Sequence, residues 1–338
     1  MSDINTVNSV VSGNTPPTVC IFGCGGGGIN TVRRALPEFK NNATYRYLDT
    51  SKRANLMPGE DAILMGSGVG SGAVRIENAD AVIKAIASLS DEELGLADVN
   101  IVAFSASGGS GSVIGPLLIK DIAGRRKRLV IALVISSSQS RVHTNNTLKT
   151  LQSLRSITDD IGLYLPISIF DNNVGVKEVD QVMPYKLARL VDLLTAPTIE
   201  IDKNDRLNWI NAPKTLGSSL SGLRLLYVTT THDGPKCPDV EVRPSTQNHI
   251  YDSLLAIRTE DYEVIDRPRA QASFEGKFAN IKLVPHYGVI GNPPKAFDDL
   301  MKLIKDTLTE YDAHSEQHED PFATNTTPAT RHKSGLEF

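Results

Sequence analysis

Two glycine-rich loops, each leaving a short apolar run, constrain this 338-residue chain more than anything else in it. The first is Gly23-Cys24-Gly25-Gly26-Gly27-Gly28, after Val19-Cys20-Ile21-Phe22. The second is Ser107-Gly108-Gly109-Ser110-Gly111-Ser112, after Ile101-Val102-Ala103-Phe104. Each is placed to leave a strand and open a helix. A helix N-terminus presents unpaired N–H groups and the positive end of a dipole, so it attracts phosphate. Glycine lets the backbone approach the anion and adopt positive φ. One such loop suits several nucleotide folds. Two, each on its own strand, describe a nucleotide held from both sides without a P-loop lysine.

From residue 18 to 170 strand and helix patterns alternate. Strands are predicted over 18–22, 44–48, 99–104, 129–135 and 166–170, short, apolar and β-branched as strands buried on both faces should be. Helices are predicted over 29–36, stopped by Pro37, and over 79–89, 113–124 and 147–157. Such alternation predicts a parallel sheet with helices on both faces, and ligands in such sheets bind at the carboxyl ends of the strands. Both glycine loops fall there, as do Asp49-Thr50-Ser51 and Asp171-Asn172-Asn173. A third glycine-bearing loop, 66–72, reads equally as a flexible linker or as a wrap for a terminal phosphate. A long helix is predicted over 178–194, then a loop with the pair Asp202 and Asp205, the latter placed to cap a short helix. Beyond residue 223 the pattern is a smaller α+β unit: a strand over 225–231, a helix over 246–256, short strands over 281–284 and 288–290, and an amphipathic helix over 295–311. After Asp312 the chain is polar and predicted disordered on its own.

Several classes drop out. No apolar run approaches the roughly 20 residues of a membrane span. The first 15 residues lack a signal-peptide layout and read as a flexible arm. Net charge is −4, unlike a general nucleic-acid binder. The one basic cluster, Arg125-Arg126-Lys127-Arg128, ends a predicted helix, where cations are favourable on their own account. Cys20, Cys24 and Cys237 make no disulfide framework and no metal site; the first two read as small buried hydrophobes in a reducing, most simply cytoplasmic, compartment.

Gly23-x-Gly25-x-x-Gly28 also fits the dinucleotide fingerprint, with Asp49 near the distance of its ribose-binding acid. An NAD-dependent oxidoreductase is therefore the alternative. It gives no role to the second and third glycine loops, and no acid–base set for hydride transfer can be read in the second half.

Ser107-Gly108-Gly109-Ser110-Gly111-Ser112 resembles the signature loop of the tubulin/FtsZ superfamily, with Ser110 where Thr is usual and Val113 where the final Gly is usual. The first loop running into Asn30, and the Asp202-x-x-Asp205 loop after the long helix, are similar to that superfamily's too. The run from Ser107 to Leu117 and Ile201-Asp202-x-x-Asp205-x-x-Asn208-Trp209 resemble the phage-encoded tubulins most. The resemblance implies an α/β, tubulin/FtsZ-like fold: an arm (1–15), a parallel-sheet GTPase domain (16–176), a central helix and catalytic loop (177–212), a smaller α+β C-terminal domain (213–292), and a last helix with a flexible polar tail (293–338).

It further implies a GTPase that polymerises head to tail in the host bacterial cytoplasm, with phage DNA, capsid or the replication compartment as cargo. GTP or GDP would be held by Ser107, Gly108, Gly109, Ser110, Gly111 and Ser112 on one side and by Gly25, Gly26 and Gly27 on the other. Gly70, Ser71 and Gly72 would approach the γ-phosphate. Asn30, Asp49 and Asn172 or its neighbour Asn173 would face ribose or base. Asp180 would read guanine; its other reading is a first-turn acid favoured by the helix dipole. Mg²⁺ would ride on the phosphates, with no protein cage. Asp202 and Asp205 would act on the nucleotide of the next subunit. A scaffold that binds nucleotide without hydrolysing it remains a third reading, and the tail either bridges subunits or is a solvated end.

Overall fold

The computed structural model describes residues 15–39, 42–52, 56–72, 75–196, 201–217, 220–230, 240–242, 252–258, 285–291, 294–317 and 336. The predicted alternation is present. Strands β1 (Val19–Cys24), β2 (Thr44–Ser51), β3 (Ala62–Gly68), β4 (Val99–Ser105), β5 (Leu129–Ser136), β6 (Tyr164–Asp171), β7 (Gly222–Thr230), β8 (Ser253–Arg258) and β9 (Pro285–Gly291) form one sheet among the described residues. Its order is β3-β2-β1-β4-β5-β6-β7-β9-β8. Every pair from β3 to β7 is parallel, and β9 pairs antiparallel with both β7 and β8.

Side chains alternate across a strand, so each strand feeds two cores. On one face Ile21, Ile101, Ala103, Ile131 and Leu133 pack with helices α1 (Gly25–Phe39) and α6 (Val176–Thr195). On the other, Cys20, Phe22, Val102, Phe104, Ala132 and Val134 pack with α2 (Ile76–Ser88), α4 (Gly111–Lys120), α5 (Arg141–Ile161) and the last helix, α9 (Pro294–Gln317). Two short helices, α7 (Lys203–Ile210) and α8 (Ala212–Leu216), follow α6; a single-turn α3 (Asp91–Leu94) precedes β4. Cys20 and Cys24 are free and buried, as predicted; Cys237 lies outside the described residues.

Several boundaries differ from the predictions, each for a physical reason. Pro37 does not stop α1, which runs to Phe39. A proline so near a helix end removes one hydrogen bond and little more, and buried Phe39 anchors the last turn. Residues 253–256, predicted helical, belong to β8, where pairing with β9 overrides local propensity; residues 246–251 lie outside the described residues, as do 281–284. Part of the third glycine loop is strand: Gly66–Gly68 end β3, paired parallel to β2. Helix α5 begins six residues earlier than predicted, because the Ser140 side chain accepts the His143 N–H and caps it. Helix α9 runs past Asp312 to Gln317, and Leu336 is fully buried in the second core, so that end of the chain is not all solvated tail. In the basic cluster, Arg126 donates to the Leu89 and Ile86 carbonyls at the end of α2 and pairs with Asp121 and Asp91. Arg126 thus closes its own helical run and also ties it to the end of α2.

Candidate nucleotide-binding site

The glycine loops meet at the carboxyl ends of β1 and β4. Gly25 opens α1 with φ +67°, and a Cβ there would lie 2.6 Å from the Gly111 amide nitrogen, so the two loops touch backbone to backbone. At Gly28 a Cβ would stand 2.1 Å from the Ala103 carbonyl oxygen; α1 can cross β4 this closely only on glycine. Gly26 differs from both, because nothing lies within 4 Å of a Cβ built there. The first loop thus packs inward through Gly25 and Gly28 and leaves an open face at Gly26, where the N-terminus of α1 presents its amides.

Three hydroxyls, from the second loop, the third loop and the end of β2, converge at the head of α4, beside Gly25. Ser110, at the head of α4, makes no side-chain cap; its Oγ lies 2.7 Å from Thr50 Oγ1 and 3.4 Å from Ser71 Oγ. The β2–β3 register shifts between Asp49 and Ser51, and this irregularity brackets Thr50. Such bulges re-aim side chains beside functional sites. Gly70 donates its N–H to the Thr50 carbonyl at 3.2 Å and accepts from Asn78 Nδ2 at 3.4 Å, which seats the third loop against the end of β2 and the head of α2. Gly72 is exposed, with φ +52°. Within the second loop Ser112 Oγ donates to the Gly109 carbonyl at 3.1 Å, and Ser105 and Ser107 hydroxyls pair at 3.0 Å. Asp49 is buried and accepts the Ser51 N–H at 3.1 Å. Burial pushes the Cys24 thiol far up, and the Asp49 charge adds to the shift.

The rim is built from α1 and the β5 and β6 ends. Asn30 Oδ1 accepts from Arg33 Nη1 at 3.0 Å, and Arg33 in turn grips Glu60. Asn172 and Asn173 separate here. Asn173 Oδ1 accepts the Ser138 N–H at 2.8 Å and its Nδ2 donates to Asp171, so its side chain is engaged in tying two loops together. Asn172 is held through its main chain, by the Ser136 carbonyl and Gln139, and its side chain makes no hydrogen bond among the described residues. Asp180 sits in the second turn of α6, since the helix starts at Val176; Glu178 is the first-turn acid. The dipole reading of Asp180 thereby loses ground. Its carboxylate takes a 2.7 Å contact from Arg34 Nη1 through one oxygen.

The remaining pair lies elsewhere. Asp202, not Asp205, caps α7: its Oδ1 accepts the Asp205 N–H at 2.8 Å. Between them, Lys203 pairs with Asp98 at 2.6 Å, and Asp98 binds the N–H of Thr18. Thr18 and Asp98 stand just before β1 and β4, whereas the glycine loops follow those strands. At about 3.3 Å per residue the two ends of these strands are roughly 20 Å apart. Asp202 and Asp205 are therefore on the opposite end of the sheet from the loops.

No family model matches the chain. A phage tubulin-like protein of Pseudomonas phage PhiPA3 is 31% identical over 119 residues, 35% of this chain and 38% of that protein. Cell division protein FtsZ 2 of Halobacterium salinarum is 26% identical over 235 residues, 66% of this chain and 58% of that protein. The matches thus span well under two thirds of those curated relatives. Among solved structures, a protofilament of TubZ from bacteriophage PhiKZ and the phage tubulin PhuZ with GDP each superpose with TM-score 0.70 at 20% identity, covering 95% of this chain and 99% of theirs.

The chain has the tubulin/FtsZ fold. The resemblance read from the two glycine loops is borne out, and with it the fold class. In this tubulin-like chain sequence reasoning missed two groups. Thr50 was seen at a strand end without a role. Arg75, buried behind the loops, carries no local signal at all, since its partners are some 70 residues away.

Proposed function

We propose that this chain is a guanine-nucleotide-binding, GTP-hydrolysing protein that assembles head to tail into filaments. The observation that carries the reading is the convergence of three glycine loops and three hydroxyls, from Thr50, Ser71 and Ser110, at the head of α4 beside Gly25. Amides at the heads of α1 and α4 suit phosphate, and clustered hydroxyls suit phosphate oxygens and the Mg²⁺ they carry. Gly25, Gly26 and Gly27 would take one side of the phosphates, Ser107 through Ser112 the other, and Gly70 through Gly72 the terminal one. Asn30, Asp49 and Asn172 would meet ribose and base. Asp180 would accept from guanine N1–H and N2–H, a pair adenine does not offer. The neighbour solved with GDP supports guanine over a dinucleotide.

Self-assembly is supported by the neighbour solved as a protofilament and by exposed apolar side chains at both ends of the sheet. Val69, Val142, Val174 and Val176 stand around the nucleotide end; Ile161 and Leu216 stand at the other. Scattered exposed valines are ordinary, but several at one end of the sheet suit an interface. In such a filament Asp202 and Asp205 would reach the nucleotide of the next subunit and orient the attacking water. Residues 16–176 would form the GTPase domain, 177–212 the central helix and catalytic loop, and 213–292 the smaller domain. Phage DNA or capsid would be the cargo, in the host cytoplasm. Among the described residues no helix is long and apolar enough to cross a membrane.

Pelleting and light scattering with GTP, GDP, ATP and NAD in parallel test the reading. Assembly and turnover with GTP alone are expected. Binding of NAD as tight as GTP would overturn it in favour of an oxidoreductase, and assembly without turnover would leave a scaffold.

A further inference from the structure

We infer that Arg75 is a positioning residue that sets the third glycine loop against the terminal phosphate, and so governs discrimination between nucleoside triphosphate and diphosphate. The inference rests on the proposal that residues 70–72 meet that phosphate. Arg75 lies three residues past Gly72, at the head of α2, and is only 4% exposed. Its guanidinium turns away from its own helix. Nη1 donates to the Asn146 carbonyl at 3.0 Å and to Thr150 Oγ1 at 2.6 Å, and Nη2 donates to Ser153 Oγ at 3.3 Å. These partners form one face of α5, at helical spacing.

The same face holds the second glycine loop. Asn146 Nδ2 donates to the Ser107 carbonyl at 3.1 Å, and Thr150 Oγ1 lies 3.0 Å from the Ala106 carbonyl. On the other side, Asn78 donates to the Gly70 carbonyl. A path of hydrogen bonds therefore runs from Gly70 to Asn78 in the first turn of α2, and from Arg75 at the head of that helix to Asn146 and Thr150 and on to Ser107, buried from Arg75 onward. Its two ends are the loops assigned to the γ-phosphate and to the α/β-phosphates. A planar guanidinium that bonds three groups at fixed angles sets distance and orientation together, which a lysine or an apolar side chain cannot do. Taking a cation out of water is costly. Packing α2 against α5 needs no charge, whereas fixing one loop relative to another does need directional bonds.

The test uses the full chain below its assembly threshold, with calorimetric affinities for GDP and for a non-hydrolysable GTP analogue. Arg75→Met should weaken the triphosphate by roughly tenfold or more while GDP stays within about twofold. Arg75→Lys should fall between, since a single ammonium reaches only part of the seat. Equal losses for both nucleotides, or none, would overturn the inference and leave Arg75 a packing brace. Should Arg75→Met fail to fold, Ser153→Ala removes one bond and keeps the rest; a severalfold drop in the triphosphate-to-diphosphate ratio is expected, and an unchanged ratio refutes. The wild-type protein separates this from the functional reading: if it binds neither guanine nucleotide, the proposed function falls, whereas normal wild-type binding with an unmoved ratio in the variants sinks the inference alone.

Discussion

Gly26 and Gly28 stand two residues apart in the first turn of α1, and the structure gives them opposite duties. In Gly28→Ala the new methyl would lie 2.1 Å from the Ala103 carbonyl oxygen, in the middle of the sheet. The obstacle is main chain, flanked by β1 and β5, and cannot rotate aside. Helix α1 must lift off the strand by roughly 1 Å in an interior packed as densely as a crystal. Overpacking of this kind costs about 1–3 kcal/mol, and a backbone clash belongs at the upper end. Alanine returns about 1 kcal/mol of helix propensity. The net loss is about 2 kcal/mol, a fall of about 3 °C in Tm for a chain of this size. Gly26→Ala meets nothing within 4 Å. It should leave the fold intact or stabilise it by ~0.4–1 kcal/mol through the unfolded chain. Its methyl would occupy the face proposed for phosphate, so GTP affinity should drop more than tenfold, about 1.4 kcal/mol. Urea unfolding without ligand and nucleotide calorimetry on both variants read the two effects separately. A wild-type midpoint for Gly28→Ala would show that α1 does not press on β4 as described. Wild-type affinity in Gly26→Ala would remove the phosphate from this loop.

Asp180→Ala should lose preference for GTP over ATP in competition binding, and Arg34→Ala should not; a variant at Asp180 that still rejects ATP would reduce the residue to an ion-pair partner. Glu60 carries a pH signature. The Arg33 hydrogen bond, helped by the Met57 amide and against burial, holds its carboxyl below the usual value of 4.5. Its contribution is therefore present above that value and lost as pH falls through the lower folded one, so the stability gap between wild type and Glu60→Gln should be constant from neutrality to about pH 5 and close below it; a gap independent of pH would refute the pairing. Burial raises both Cys20 and Cys24 thiols. A Cys237→Ser protein should therefore show no thiol reactive to Ellman's reagent until it unfolds, and rapid labelling of the native protein would contradict that burial.

What could be read in the sequence was whatever local pattern determines. Val19–Cys24, Val99–Ser105 and Leu129–Ser136 are strands buried on both faces, and uniform apolar runs announce that. The glycine loops were visible because close backbone approach has a compositional mark. Strand β3 was not, since its glycine-rich end reads as loop and only pairing with β2 makes it strand. Residues 253–256 looked helical because Leu and Ala suit either state; β9 decided the matter. Asp205 looked like the cap, but the chain turns three residues earlier and Asp202 takes the amide. Thr50 and Arg75 act through partners 60 and 71 or more residues away, and no window of sequence contains such a bond.

The two aspartates pose the sharpest test. Helix α6 starts at the glycine-loop end of the sheet, beside Asp180, and closes at the far end, where Arg206 fastens α7 to it. Its guanidinium is buried, desolvation pulls its pKa down to about 10, and it donates to the Leu194 and Ala196 carbonyls at the close of α6. The Asp202–Asp205 turn is thus tied to the end of that helix, roughly 20 Å from its own glycine loops. No side-chain rotation covers that distance, so these residues can serve a nucleotide only on another subunit. Asp202→Asn is the cleaner probe, because asparagine caps a helix as well as aspartate does, whereas alanine would add about 1 kcal/mol of lost capping. Asp202→Asn and Asp205→Asn should bind GTP normally and assemble, with turnover down by about 10²-fold or more, the scale of losing a general base or water-positioning group. Mixing supplies the decisive arm. A Gly26→Ala subunit, deficient in nucleotide but retaining both aspartates, should restore turnover when co-assembled with Asp205→Asn. Full activity in either asparagine variant, or turnover per subunit that does not rise with protein concentration, would place the hydrolytic group within one chain and end the argument from distance.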